Sequence, residues 1–90
     1  MTLNQLKIFL KIAEVGSVTK AADLLGMTQS AASASIASLE NIYQVKLFKR
    51  IGRSITLSDE GKRFLPEAQR VIERSRSAKK YLRLLSKKTI

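Results

Sequence analysis

The sequence predicts a mainly helical domain in which three short helices and a two-stranded hairpin precede one long final helix. Apolar residues recur at helical spacing through the first half of the chain, and the stretch around Gly52 alternates between apolar and polar residues as a strand does. Helical spacing then returns and continues to the end of the chain. The 90 residues, 44% of them apolar, can form a three-helix core but leave little material for a roomy substrate cavity.

The first helix is marked at both of its ends. Thr2 and Gln5 have the spacing of a capping box, and Gly16 is a residue that commonly ends a helix. Between them, the apolar positions at helical spacing are Leu6, Phe9, Leu10 and Ala13. We therefore expect one helix between Thr2 and Gly16.

The second and third helices are separated by a very short turn. Ser17 can cap a helix over 18–25 that ends at Gly26, and Thr28 can cap a helix from 29 to about 43. A short helix, a tight turn containing glycine and a second capped helix form a helix-turn-helix, although an ordinary helical hairpin has the same signals. The apolar face that the two helices are expected to share consists of Ala22, Leu25, Met27, Ala32, Ile36 and Leu39.

A two-stranded wing is predicted after the third helix. Ile55 and Leu57 alternate with polar residues, and Gly52 provides a hairpin turn between them and the apolar residues that precede it. The turn is flanked by Arg50 and Arg53, which could reach a phosphate or a minor groove from a projecting loop. Two arginines near a turn are common, but their position directly after a candidate reading helix favours a winged helix-turn-helix.

The fourth helix is predicted to begin after Ser58 and to continue to Lys88. Asp59 and Glu60 suit a helix N-terminus, and basic residues dominate the later turns. Pro66 lies inside this segment and lacks the backbone N–H that a helix needs. We therefore expect a kink or break within 62–66.

The fourth helix also carries a heptad seam that predicts dimerisation. Its apolar or small residues are separated by alternating steps of four and three residues: Phe64, Ala68, Val71, Ser75, Ala78, Leu82 and Leu85. A single helix cannot bury such a stripe alone, so the same helix of a second subunit is the expected partner. The alternative is that the first half of the seam packs against helix one of the same chain.

Charge indicates a polyanionic partner. The net charge is +10, and residues 46–90 hold fourteen lysines and arginines against four carboxylates, while charges in 1–45 cancel. Such a field attracts nucleic acid, although a solvated basic helix that only keeps the protein soluble has the same composition. An acidic protein partner or an anionic membrane surface is a weaker alternative, because small residues interrupt the apolar face of the basic helix.

Composition argues against an enzyme. The chain has no cysteine and no histidine, which excludes disulfides, thiolate nucleophiles, imidazole bases and the usual zinc sites. No cofactor or metal is therefore expected, and a small helical enzyme that binds an anionic substrate would have little to offer as an acid or base, since there is no histidine and no cluster of carboxylates. No secretion signal and no membrane span are encoded, so we expect a cytoplasmic protein.

The order and spacing of these motifs resemble the N-terminal part of LysR-type bacterial transcription regulators. The matching residues are Leu6, Phe9, the run 16–22 (G-S-V-T-K-A-A), the run 25–31 (L-G-M-T-Q-S-A), Ser33, Ile36, Leu39, Glu40, Leu47, Phe48, Arg50, Gly52, Arg53 and the run 57–61 (L-S-D-E-G). The resemblance implies a winged helix-turn-helix DNA-binding domain over 1–58 and a linker and dimerisation helix over 59–90.

The resemblance also implies partners. Members of the family are homodimers or tetramers that bind interrupted palindromes in double-stranded DNA and respond to a small effector through a separate C-terminal domain. That effector domain is absent from these 90 residues. We therefore expect a DNA-binding fragment of a longer regulator, with a free-standing short repressor as the alternative.

The third helix departs from the family at the positions that read DNA. Where members often carry long polar or basic side chains, this chain has Ala34, Ser35 and Ala37. Gln29 is then the one side chain able to make a bidentate contact, so we expect it to read an adenine edge. Ser30 and Ser33 are expected on phosphates or nearby base atoms, and Ala31 or Ala34 on a thymine methyl. The complete set assigned to DNA binding is Ser17, Thr28, Gln29, Ser30, Ser33, Ala34, Ser35, Arg50 and Arg53.

Overall fold

The computed structural model describes residues 1–87 and contains four helices and one hairpin. The elements are α1 (Leu3–Val15), α2 (Val18–Leu25), α3 (Gln29–Tyr43), β1 (Phe48–Ile51), β2 (Ser54–Leu57) and α4 (Asp59–Lys87). The predicted mainly helical architecture, with a two-stranded wing before a long last helix, is confirmed. Within residues 1–87, no helix combines the length and the apolar character needed to cross a membrane.

Local caps explain where the first three helices begin and end. The Thr2 hydroxyl accepts a hydrogen bond from the Gln5 backbone N–H, and the Gln5 side chain accepts one from the Thr2 N–H, both at 3.0 Å. The Ser17 and Thr28 hydroxyls cap α2 and α3 by accepting from the backbone N–H groups of Lys20 and Ala31, without the reciprocal bond. Gly16 and Gly26 end α1 and α2 with φ of 69°, a left-handed conformation that glycine adopts without a steric penalty.

The core is organised around α1, which contacts each of the other helices. Its apolar face is almost completely buried at Leu6, Ile8, Phe9 and Ile12. The Phe9 ring lies between two further rings, with centroid distances of 5.3 Å to Phe48 and 5.2 Å to Phe64. These tilted aromatic contacts join α1, β1 and α4 in one apolar cluster.

The wing is a short antiparallel hairpin. Phe48 pairs with Leu57 at its base and Ile51 with Ser54 at its tip, so Gly52 and Arg53 form the turn. Gly52 has φ of 60°, as the first central residue of a tight hairpin turn requires. Phe48, Ile55 and Leu57 pack against the core and fix the base of the hairpin.

Of the predicted kink or break in the fourth helix, the break is wrong, because α4 continues through Pro66 from Asp59 to Lys87. Pro66 is exposed, so the carbonyl that it leaves without an intrahelical partner lies on the solvent side. On the other side of the helix, Leu65 and Ala68 pack into the core and anchor the turns next to Pro66. The predicted helix end at Lys88 lies outside the described residues.

The first half of the heptad seam is divided between the core and the surface. Ala68 is fully buried and Phe64 stacks on Phe9 within the same chain, as the intramolecular alternative expects. The core face of α4 also includes Ile72, which is not a seam residue. Val71 is 40% exposed, and the seam residues beyond Ser75 are all exposed. Only the seam from Val71 onwards is therefore available to a partner.

Candidate nucleic-acid interface

The outer face of α3 is lined with small side chains. Ala32, Ile36 and Leu39 are buried on the inner face. The exposed residues of the outer face are Ser30, Ala31, Ala34, Ala37, Ser38 and Asn41. Up to Asn41 no bulky side chain projects from this face, so this part of the helix can approach the floor of a major groove closely. The exposed Ile42 follows near the end of the helix.

The first turn of α3 is polar and internally bonded. The Thr28 hydroxyl accepts from the Ala31 backbone N–H at 3.1 Å and lies 3.3 Å from the Ser30 hydroxyl. Gln29 Nε2 donates to Ser33 Oγ at 2.8 Å, one helical turn further on. Gln29 is exposed and Ser33 is half-buried, so the amide is held at the surface by a more rigid partner.

A cleft of about 390 Å³ separates α3 from the wing. Ser33 and Ala37 line it on the helix side, and Lys46 and Arg50 line it on the wing side. Its floor consists of apolar residues that include Ile36. The cleft also contains the Glu40 carboxylate, which accepts hydrogen bonds from the start of the wing. The Ser33 hydroxyl and the two cations on the opposite wall can bind the sugar-phosphate backbone of a nucleic acid.

Four exposed cations surround the wing. Lys46, Lys49, Arg50 and Arg53 are exposed, and none of them forms an ion pair with another part of residues 1–87. Arg53 lies in the hairpin turn, beyond the cleft. An unpaired, solvated cation can exchange its counterions for phosphate without first breaking an internal salt bridge.

Hydrogen bonds from α3 and α4 hold the wing in place. The Glu40 carboxylate accepts from the backbone N–H groups of Leu47, at 2.7 Å, and Phe48, at 3.4 Å. At the start of α4, the Ser58 hydroxyl donates to the Lys46 carbonyl at 2.6 Å, and the Ser58 N–H donates to the Leu47 carbonyl at 3.0 Å. The segment that enters the wing is thus fixed between α3 and the start of α4.

The structure brings most of the predicted DNA-binding residues to one side of the domain. Thr28, Gln29, Ser30 and Ser33 form the bonded first turn, and Ser33 faces Arg50 across the cleft. The hydroxyl of Ser17 caps α2 beside Val18, which lines the same cleft. Ser35 lies apart, on the flank of α3 opposite Ser33, since successive helical residues are about 100° apart.

Sequence reasoning missed the roles of Glu40 and Lys46. Glu40 entered only as part of a family motif, and its role depends on the chain reversal that returns Leu47 to it. No local pattern shows such a contact. The sequence did indicate a role for Lys46, because this cation lies directly before the predicted wing.

Comparisons with known proteins agree with this geometry. The profile of the "Bacterial regulatory helix-turn-helix protein, lysR family" matches residues 3–62. An uncharacterized HTH-type transcriptional regulator in the ibpB-leuC intergenic region of Azotobacter vinelandii is 43% identical over 72 residues, which are 80% of this chain and 50% of that protein. The uncharacterized HTH-type transcriptional regulator YvbU of Bacillus subtilis is 46% identical over 74 residues, 81% of this chain and 25% of that protein. The chain thus spans half the length of the first relative and a quarter of the second.

Two solved structures match almost the whole fold. The crystal structure of the CbnR_DBD–DNA complex has a TM-score of 0.89 at 31% identity and covers 96% of this chain and 99% of the other. The BenM_DBD/catB site 1 DNA complex has a TM-score of 0.91 at 28% identity, covering 96% and 97%. The fold, the sequence profile and the nearly complete coverage of both isolated domains all indicate the same family. The chain belongs to the LysR family of bacterial regulatory helix-turn-helix proteins.

Proposed function

We propose that this chain binds double-stranded DNA as a homodimer and is the promoter-reading part of a bacterial transcription regulator. The observation that carries the proposal is the combination of a small-residue outer face on α3 with unpaired cations across the cleft. The CbnR and BenM domains, which share this fold, are in complexes with DNA in their crystal structures, which supports the same partner class here.

In the proposed complex, α3 enters the major groove and the wing contacts the flanking backbone. Gln29 reads a base edge, Ser30 and Ser33 contact phosphates or nearby base atoms, and Ala34 touches a thymine methyl. Arg50 holds the backbone strand that lies in the cleft. Arg53, at the hairpin tip, reaches further along the duplex to a phosphate or into the minor groove.

Dimerisation is assigned to the distal half of α4. Every residue in 76–86 is exposed, including Leu82 at 65% and Leu85 at 42%. A solvent-exposed helical segment of this length is only marginally stable by itself, so a second copy that covers the seam would stabilise it. The proposed seam consists of Val71, Ser75, Ala78, Leu82 and Leu85. Two reading helices held in this way suit an interrupted palindrome.

The remaining parts of the proposal concern the protein to which such a domain belongs. The relatives are longer than this chain, so a small-molecule effector would act through a C-terminal domain outside these 90 residues. A tetramer is a second assembly open to such a longer protein. The DNA target places the proposed regulator in the bacterial cytoplasm.

The test is selection from a pool of random duplex DNA, followed by sequencing, at low and moderate salt. Wild-type protein is expected to enrich a two-fold symmetric site, and the enrichment should fall at the higher salt because phosphate contacts release counterions. Sedimentation of the protein without DNA, at the same concentrations, determines whether the dimer exists before binding.

A charge-matched pair of variants separates the interface from the overall field. The double variant Arg50→Ala/Arg53→Ala removes two cations from the wing, whereas Lys79→Ala/Lys80→Ala removes two exposed cations from distal α4. We expect the first to weaken binding strongly and the second only slightly. Equal losses of affinity would show that the net charge alone governs binding, and a folded dimer that enriches no DNA would contradict the proposed function.

A further inference from the structure

The hydrogen bond between Gln29 and Ser33 determines what the Gln29 amide can offer to DNA. Nε2 donates to Ser33 Oγ at 2.8 Å, so one of the two amide N–H groups is already engaged. One N–H and the carbonyl oxygen Oε1 remain available. This inference rests on the proposed function, because it concerns how the first turn of α3 reads a base.

We propose that Ser33 is a positioning residue that makes the Gln29 amide selective for adenine over guanine. In the major groove, adenine presents the N7 acceptor beside the N6 donor, which match the remaining N–H and Oε1 of Gln29. Guanine presents two acceptors, N7 and O6, and would need two outward N–H groups. With one N–H held by Ser33, the amide cannot offer both of them to guanine.

The surroundings of Ser33 suit a positioning role. Ser33 is half-buried between the core face of α3 and the cleft, and its neighbour Ala32 is fully buried. Its backbone lies inside a regular helix one turn after Gln29, which brings its hydroxyl within hydrogen-bond distance of the amide. Gln29 is exposed at the first helical position, and the contact to Ser33 is the hydrogen bond that its side chain makes in the free protein.

The rest of α3 makes the orientation of this amide decisive. Between Gln29 and Tyr43 the helix contains no lysine and no arginine, the side chains that most often read guanine. Up to Asn41 its exposed residues are otherwise alanine, serine and asparagine, and the exposed Ile42 and Tyr43 lie in its last turn. Discrimination between purines at the position under the first turn therefore depends on which groups Gln29 directs outward.

The experiment compares base preference in Ser33→Ala, Ser33→Thr and Gln29→Ala, with Ser77→Ala, an exposed serine of α4 outside the proposed interface, as a control. Each protein is put through the duplex selection, and the enriched site is then resynthesised with adenine, guanine or 7-deazaadenine at the position that depends on Gln29. Thermal unfolding of each variant is measured in parallel, because a merely structural role of Ser33 would change stability without changing base preference.

We expect Ser33→Ala to reduce the adenine-over-guanine ratio by about fivefold or more, within the range of one bidentate contact. Ser33→Thr keeps the hydroxyl and should keep the wild-type ratio, and Ser77→Ala should leave it unchanged. In wild-type protein, 7-deazaadenine should weaken binding because it lacks N7, and this effect should be smaller in Ser33→Ala.

The failures of the two proposals are distinguishable. If Gln29→Ala changes the purine preference while Ser33→Ala retains the wild-type ratio, the positioning role of Ser33 is overturned and the proposed reading helix stands. If Gln29→Ala leaves every position of the selected site unchanged, Gln29 does not read DNA. If wild-type protein selects no site at all, the proposed function itself fails.

Discussion

Gly61 allows the last helix to touch the segment that enters the wing, and replacing it tests this contact directly. A Cβ atom at position 61 would lie 2.0 Å from the Leu47 carbonyl oxygen and 3.0 Å from Cδ2 of Leu57. The nearest obstacle is backbone, which cannot rotate away. To restore an ordinary contact of about 3.4 Å, α4 and the Leu47 segment must separate by about 1.4 Å (3.4 minus 2.0).

The magnitude follows from the bonds that such a separation would break. Ser58 bonds the Leu47 carbonyl at 3.0 Å and the Lys46 carbonyl at 2.6 Å, and neither bond survives a displacement of that size. Their loss costs about 1 kcal/mol each, and overpacking typically adds about 1–3 kcal/mol. Alanine itself favours the helix by about 1 kcal/mol over glycine. We therefore expect Gly61→Ala to lower the free energy of unfolding by about 2–4 kcal/mol.

The assay is urea unfolding followed by circular dichroism at one fixed protein concentration, since a dimer's apparent stability depends on concentration. Ser77→Ala, an exposed change in the same helix, is the matched control and should alter stability by less than about 0.5 kcal/mol. If Gly61→Ala were as stable as wild type, or more stable, helix propensity would dominate and the close approach of the two backbones would be refuted.

Three further predictions concern the wing, the seam and the link between them. Arg53→Ala should lower the slope of log K against log salt by about 0.9 for each phosphate that Arg53 neutralises, whereas Lys79→Ala should leave the slope unchanged, as measured by fluorescence anisotropy on a fixed site. Leu82→Asp, at a side chain 65% exposed in the protomer, should raise the dimer dissociation constant by about a hundredfold or more in sedimentation experiments, without unfolding the core. Glu40→Ala removes a charged acceptor 2.7 Å from the Leu47 N–H and should destabilise the fold by about 1.5–3 kcal/mol in urea; no change in stability or DNA affinity would show that the wing is held without it.

The helix boundaries were predictable because their determinants are local. Thr2, Ser17 and Thr28 lie beside the N–H groups that they cap, and Gly16 and Gly26 supply the left-handed conformations that end α1 and α2. The Gln29–Ser33 contact could also have been predicted from the sequence, since residues four apart are neighbours on a helix. The prediction instead assigned Ser33 to phosphate or base atoms, without considering a bond inside the first turn.

The behaviour of α4 could not be predicted because it depends on packing. The known effect of proline on a helix interior predicted a kink or break near Pro66. The helix nevertheless continues through Pro66, with Leu65 and Ala68 packed into the core. The seam raised a similar difficulty. Phe64 and Ala68 fit both a heptad repeat and a helical core face, and only the position of α1 assigns them to the core.

The same packing connects DNA reading to the proposed dimer. From Gly61 to Ile72, α4 lies against α1 and the base of the wing, so its direction is fixed relative to α3 before it leaves the core. The distance between two reading helices then depends only on where the distal helices of two protomers cross. A slip of one heptad along the partner would displace one reading helix by about 10 Å, or about three base pairs. A thin seam with leucines at Leu82 and Leu85 can therefore set the spacing of the half-sites, provided that its register is unique.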